Sequence, residues 1–106
     1  MSQINIVDAF DFNNRLAAAG TKLVVVNFHA PWCGPCKMIN PAIEALTLIH
    51  PNTIFLKIDI DEVDEIAQQY NITNIPTYVY IKNGAVVQEV YGANILEFTL
   101  ALETNQ

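Results

Sequence analysis

The stretch KLVVVNFHAPWCGPCK, residues 22–37, decides the fold. It opens on KLVVVNF, a nearly unbroken β-branched apolar run of the kind found in a central strand covered on both faces. It closes on two cysteines separated by Gly34 and Pro35, and a helix is expected to start there. Ile39, Ile43, Leu46 and Ile49 follow at three- to four-residue spacing, which predicts one apolar helix face. Pro41 falls inside that helix and is expected to interrupt and bend it, because it lacks an N–H and crowds the preceding turn.

On the N-terminal side, QINIV (3–7) reads as a short strand. DAFDFNNRLAAAG (8–20) reads as a helix with Asp8 as its N-cap and Gly20 just past its end. On the C-terminal side, TIFLKIDI (53–60) is a third strand. DEVDEIAQQY (61–70) is a short helix whose early carboxylates suit its N-terminal dipole. TYVYI (77–81) and AVVQEVY (85–91) flank Asn83-Gly84, a two-residue hairpin signal. NILEFTLALE (94–103) closes the chain as a helix with Ile95, Phe98 and Leu102 on one side. The order β-α-β-α-β-α-β-β-α predicts an α/β fold, a mixed sheet with helices on both faces, in one domain over residues 1–106.

Composition sets the function classes. At 106 residues, 52% apolar and 15% charged, the chain is large enough for one core and too apolar to be disordered. Net charge is −6, and the five basic residues stand singly at Arg15, Lys22, Lys37, Lys57 and Lys82. With no basic stripe to neutralise phosphates, nucleic-acid binding is not expected. MSQINIVDAF has no basic start, and the longest strongly apolar run, LVVV, is far short of a membrane span. A cytoplasmic location without membrane attachment is therefore expected. One C-x-x-C pair closes too short a loop to staple a fold. In a reducing compartment it points to redox catalysis or metal binding.

Within WCGPCK (32–37), Cys33 is expected at the first helical position and Cys36 one turn along the same face, close enough for their sulfurs to bond and exchange. Unpaired N–H groups and the dipole at a helix N-terminus favour a thiolate; a stabilisation of ~1–2 kcal/mol would lower a thiol pKa by about one unit. Cys33, expected to be exposed at the tip, is the better nucleophile, and Cys36, one turn in, the better resolving thiol. Pro35 stiffens the turn, and Gly34 leaves room for a partner's backbone. A structural zinc site needs two further ligands, and only His29 and His50 remain as thiol or imidazole donors. Covalent haem attachment needs histidine directly after the second cysteine, where Lys37 stands. No metal is expected.

APWCGPCKMINP (30–41), FLKIDID (55–61), NIPTYVYIKNG (74–84) and YGAN (91–94) together resemble the thioredoxin family, of its eukaryotic cytosolic kind, over essentially the full chain. The resemblance implies a mixed sheet of five strands flanked by four helices. It implies reduction of disulfides in client proteins such as peroxiredoxins by a monomer with no bound cofactor. Regeneration would come from thioredoxin reductase, which draws on NADPH. Cys33 would attack a client disulfide, and Cys36 would resolve the mixed disulfide, leaving a redox-active Cys33–Cys36 disulfide.

By the same resemblance, Pro76 is expected to follow a cis bond and lie against the dithiol, with the Ile75 backbone pairing to the substrate. Without it, Pro76 is simply a proline at a strand start. Trp32, Ile60, Ile75, Pro76, Gly92 and Ala93 would form an apolar docking surface.

Asn27 departs from the family pattern. Many thioredoxins carry a buried carboxylate at the matching position, with a lysine such as Lys57 beside it. A buried carboxylate can take the resolving thiol's proton, whereas an amide cannot titrate. A competent fold with slowed resolution is expected. Lys57 is otherwise expected to pack its stem and extend its head to water. His29, two residues on and on the same strand face, is a candidate to relay that proton. Asn27 is also the one feature favouring an alternative, a thioredoxin-like binding module with low turnover.

Overall fold

The computed structural model describes residues 2–106. β2 (Val24–His29) lies at the centre of a five-stranded sheet in the order β1-β3-β2-β4-β5. β3 (Ile54–Asp59) runs parallel to it on one side and carries the short parallel edge strand β1 (Ile4–Asn5). β4 (Thr77–Lys82) runs antiparallel on the other side and pairs with β5 (Ala85–Tyr91). The helices are α1 (Ala9–Ala18), α2 (Gly34–Ile49), α3 (Asp64–Gln69) and α4 (Ile95–Thr104). The expected order and mixed five-stranded sheet are present.

The apolar run of β2 is continuous because both its faces are covered. Val24, Val26 and Phe28 join Leu56 and Ile58 of β3 in a cluster with Phe12 of α1 and Ile66 of α3. Leu23 and Val25 point the other way, into a cluster with Ile39 and Ile43 of α2 and Phe98 and Leu102 of α4. Side chains alternate along a strand, so Asn27 falls on the Val25 face, towards α2.

Local chemistry sets the ends. The Asp8 carboxylate accepts the Asp11 N–H at 2.8 Å and caps α1, and Gly20 takes the left-handed φ of +60° beyond its end. Asn83 and Gly84 both have positive φ, as the tight primed turn of a two-residue hairpin requires. Asn94 caps α4 by accepting the Glu97 N–H at 3.0 Å.

Several expectations need correction. α2 is not interrupted at Pro41, which sits inside the continuous element Gly34–Ile49. The one hydrogen bond it forfeits would end on Lys37, which is exposed, so that carbonyl need not go unsolvated. Ile49 is 69% exposed, and Thr47 is buried in its place, because at 3.6 residues per turn Ile49 has rotated off the face of Ile39 and Ile43. α3 starts three residues later than the acidic run suggested. The Asp59 carboxylate accepts the Asp61 N–H at 2.9 Å and holds those residues in a turn.

Candidate active site

The β2–α2 connection brings the two cysteines together. Cys33 is the N-cap of α2 rather than its first helical residue, with extended backbone angles (φ −86°, ψ 105°). Its Sγ accepts the Cys36 N–H at 3.2 Å, so a sulfur fills the role usually played by a capping oxygen. The helix end therefore reaches Cys33 through a specific donor as well as through its dipole. Cys33 and Cys36 are joined in a disulfide with their Cα atoms 5.3 Å apart.

The expected contrast in exposure is absent: Cys33 is 4% and Cys36 8% exposed. Capping folds the Cys33 sulfur back onto the first turn, and both cysteines cluster with Ala30, Ile60 and Ile75. Any difference in role must come from what each sulfur faces. Gly34 and Pro35, by contrast, are exposed above the pair.

Around the disulfide, Trp32 is 66% exposed, and its indole N–H donates to the Asp61 carboxylate at 2.8 Å. Trp32, Ile60 and Ile75 line one hollow of about 290 Å³, completed by Ile72, Thr73 and Asn74. Ala93 falls on a second, apolar hollow of about 220 Å³ with Met38, Ile39, Ala42 and Ile95. The Ile75–Pro76 bond is cis. Pro76 itself is buried, so its ring is not part of an exposed surface, and its carbonyl accepts the Gly92 N–H at 2.8 Å. Gly92, half-buried, holds a φ of +84°.

Asp61, Ile72 and Met38 went unrecognised in the sequence. Met38, 81% exposed directly behind the dithiol, was the one legible signal: an apolar side chain off the helix's buried face.

Behind the disulfide, Cys36, Asn27, His29 and Lys57 line a cavity of about 380 Å³, together with Lys37 and Asn40. Asn27 is buried at 5% exposure and pairs in register with Lys57 of β3 and Tyr78 of β4. Its Nδ2 donates to Gln3 Oε1 at 2.9 Å, and its Oδ1 is buried with no hydrogen-bond partner among the described residues. Gln3 Nε2 in turn donates to Asn40 Oδ1 and Glu44 Oε2, each at 2.8 Å.

Glu44 also accepts from the Gln3 backbone N–H at 3.3 Å and the Ser2 hydroxyl at 2.7 Å. Burial acts to raise its pKa, but the hydrogen bonds from Ser2 and Gln3, aided by Lys57, hold it below the ordinary carboxylate value. His29 is pushed below its ordinary value of 6.5, first by burial and then by the Lys57 ammonium, against a smaller opposing pull from Asp59. It therefore stands neutral at pH 7, able to accept a proton.

Lys57 is half-buried, in keeping with a packed stem. No group of three or more His, Cys, Asp or Glu residues among those described is placed to hold a metal ion. No helix among them is long and apolar enough to cross a membrane.

A thioredoxin family profile matches residues 3–101. Thioredoxin-2 of Saccharomyces cerevisiae is 42% identical over 97 residues, covering 92% of each chain. The X-ray structure of Fasciola hepatica thioredoxin superposes with a TM-score of 0.96 at 35% identity, covering 98% of this chain and all of that one. A chain from the structural study of the thiol resolving mechanism in yeast mitochondrial 1-Cys peroxiredoxin via glutathione/thioredoxin systems gives a TM-score of 0.89 at 30% identity, covering 97% of this chain and 95% of that one.

Proposed function

The chain belongs to the thioredoxin family, a family of thiol–disulfide oxidoreductases, and from that premise we propose that it reduces client disulfides by attack through Cys33 and resolution through Cys36. The observation that carries the assignment is the N-cap geometry: the Cys36 N–H is aimed at the Cys33 sulfur at 3.2 Å, a donor placed to stabilise negative charge on Cys33 once the disulfide is reduced. The Cys33 thiolate attacks one client sulfur, expels the other as a thiolate that takes up a proton, and forms a mixed disulfide. Cys36 then gives up its proton and attacks the Cys33 sulfur. The client leaves as a thiolate and is protonated, and the Cys33–Cys36 disulfide remains. Two electrons pass from the protein to the client.

Trp32, Ile60 and Ile75 form the core of the client-docking surface, with Gly92 and Ala93 on its far side, while cis Pro76 supports it from beneath. Trp32 is held by Asp61. The Ile75 backbone pairs with an extended client segment. Gly34 and Pro35 keep the exposed turn narrow and stiff. The whole chain acts as one cytoplasmic, monomeric domain that binds no cofactor, with electrons arriving from NADPH through thioredoxin reductase. Peroxiredoxins are a fitting client class, because a structural relative comes from work on thiol resolution in one of them.

Asn27 cannot accept the Cys36 proton, so resolution is slowed. Neutral His29, on the wall of the cavity that Cys36 also lines, is the base to which that proton passes, and Lys57 tunes it. The alternative, a binding module with little turnover, draws only on Asn27. NADPH-coupled reduction of a protein disulfide separates the two. Turnover by the wild type that is abolished in Cys33→Ser supports the reductase, and activity near zero in both sinks it.

A further inference from the structure

Asn27 sits at the end of a hydrogen-bonded chain whose direction is fixed by one charge. Glu44 is ionised, so both its oxygens can only accept. The Gln3 group facing it must therefore be the NH2, and Gln3 Nε2 lies 2.8 Å from Glu44 Oε2. That leaves Gln3 Oε1 as the acceptor facing Asn27, so Asn27 turns its own NH2 to it at 2.9 Å. The Asn27 carbonyl is then the group left over, and it is the orphan: Oδ1 is buried and has no partner among the described residues, on a side chain that lines one cavity with Cys36. A buried amide oxygen without a partner is costly, about 1–3 kcal/mol, so the cavity beside it is where a donor is wanted.

We propose that Gln3 and Glu44 are positioning residues for the resolving thiol: they turn the Asn27 amide so that its carbonyl oxygen, and not its NH2, is offered to Cys36. When the disulfide is reduced, Cys36 gains a proton, and the Asn27 oxygen accepts that S–H directly or through one water. An acceptor beside a thiol favours the protonated form, as an NH2 in the same place would favour the thiolate. The two cysteines are thereby driven apart in acidity: Cys33 is held ready as a thiolate by its N-cap bond, and Cys36 is kept as a thiol until a mixed disulfide has formed. The other titratable or charged groups of this cavity are His29 on β2, Lys57 on β3 and Lys37 on α2, with Asp59 of β3 acting on His29. None of them belongs to the Glu44–Gln3–Asn27 chain of hydrogen bonds; Gln3→Leu breaks that chain without removing a charge, whereas Glu44→Gln also removes the carboxylate that interacts with Lys57.

The inference rests on Cys36 being the resolving thiol, but its test involves no client and is independent of whether the protein turns one over. In a Cys33→Ser background, Cys36 is the sole thiol, and its thiolate absorbance can be titrated against pH. Gln3→Leu and Glu44→Gln should each lower the Cys36 midpoint by about one pH unit, the size of one hydrogen bond reversed from favouring thiol to favouring thiolate. Both shifts should vanish when Asn27→Val is added, and Tyr78→Phe, which removes a buried hydroxyl on that face without a partner among the described residues, should leave the midpoint in place. A midpoint that moves with Glu44→Gln but not with Gln3→Leu would mean that the carboxylate acts through space, and that result overturns the proposal. So would a shift that survives Asn27→Val, a shift reproduced by Tyr78→Phe, or no shift in either single variant.

Discussion

Asn27→Asp should speed the resolving step and weaken the fold at the same time, and the hydrogen bonds around the residue set the size of both effects. Asn27 donates to Gln3 Oε1 at 2.9 Å, and aspartate has no donor to put there. Gln3 cannot compensate freely, because its own NH2 already serves Asn40 and Glu44 at 2.8 Å each. Either Gln3 Oε1 stays unpaired against a carboxylate, or Gln3 turns over and abandons Glu44. Each outcome strands at least one buried polar group, at about 1–3 kcal/mol.

A loss of about 2 kcal/mol corresponds to a fall in Tm of roughly 8–16 °C for a domain of this size. The introduced carboxyl is buried, so its folded pKa should lie above its unfolded value of about 3.9. The penalty is then absent at pH values below the unfolded value and grows as pH rises through the raised folded pKa. Thermal melts of the two proteins should accordingly converge in acid and separate at neutral pH. The gain is a base within the site, and resolution should accelerate about ten- to a hundredfold, up to the lower limit of the roughly 10²–10⁴ that positioned proton transfer supplies. Equal melting temperatures at neutral pH together with an unchanged resolving rate would refute the reasoning and reduce position 27 to a packing site.

Other expectations are simpler. His29→Phe should remove the limb of the resolving rate that falls as pH drops through the lowered pKa of His29, and a pH profile identical to the wild type's would rule out the relay. Because the folded pKa of His29 is depressed, its contribution to stability is present above 6.5 and is lost as pH falls through the lowered value; urea midpoints at pH 7 and 5 should differ less in the variant. Tyr78→Phe removes a buried hydroxyl that has no partner among the described residues, so it should stabilise by about 1 kcal/mol, seen as a higher urea midpoint with an unchanged slope. Asp8→Ala removes the α1 cap and should cost about 1 kcal/mol in the same measurement. Asp61→Ala frees the Trp32 indole and should raise KM for a protein disulfide more than it lowers kcat.

Much of the fold was legible because its signals are local. The apolar run of β2, the Asn83-Gly84 turn and the Asp8 cap each act over a few residues, and each appears where its chemistry put it. The cysteine spacing was legible for the same reason. The surroundings of the site were not. Gln3 meets Asn27 across 24 residues of sequence and Glu44 across 41, and no periodicity or motif links them. A lone glutamine in an edge segment and a half-buried glutamate on a helix look like surface residues until the fold closes over them. Trp32 and Asp61, 29 residues apart, are joined in the same way. The burial of Cys33 was missed because a cysteine at a loop tip suggests exposure, whereas capping turns its sulfur inward. Ile49 misled in the opposite sense: it has the right residue type but sits half a turn too late on α2.

The central claim is that two thiols act in order, Cys33 quickly and Cys36 slowly. Rapid mixing of the reduced protein with a protein disulfide tests it most directly, with the single tryptophan, Trp32, reporting from beside the dithiol. The account predicts two phases: a first whose rate rises with client concentration, and a slower second that is independent of concentration and is missing in Cys36→Ser. A single concentration-dependent phase in the wild type, or a slow phase that persists in Cys36→Ser, would contradict it.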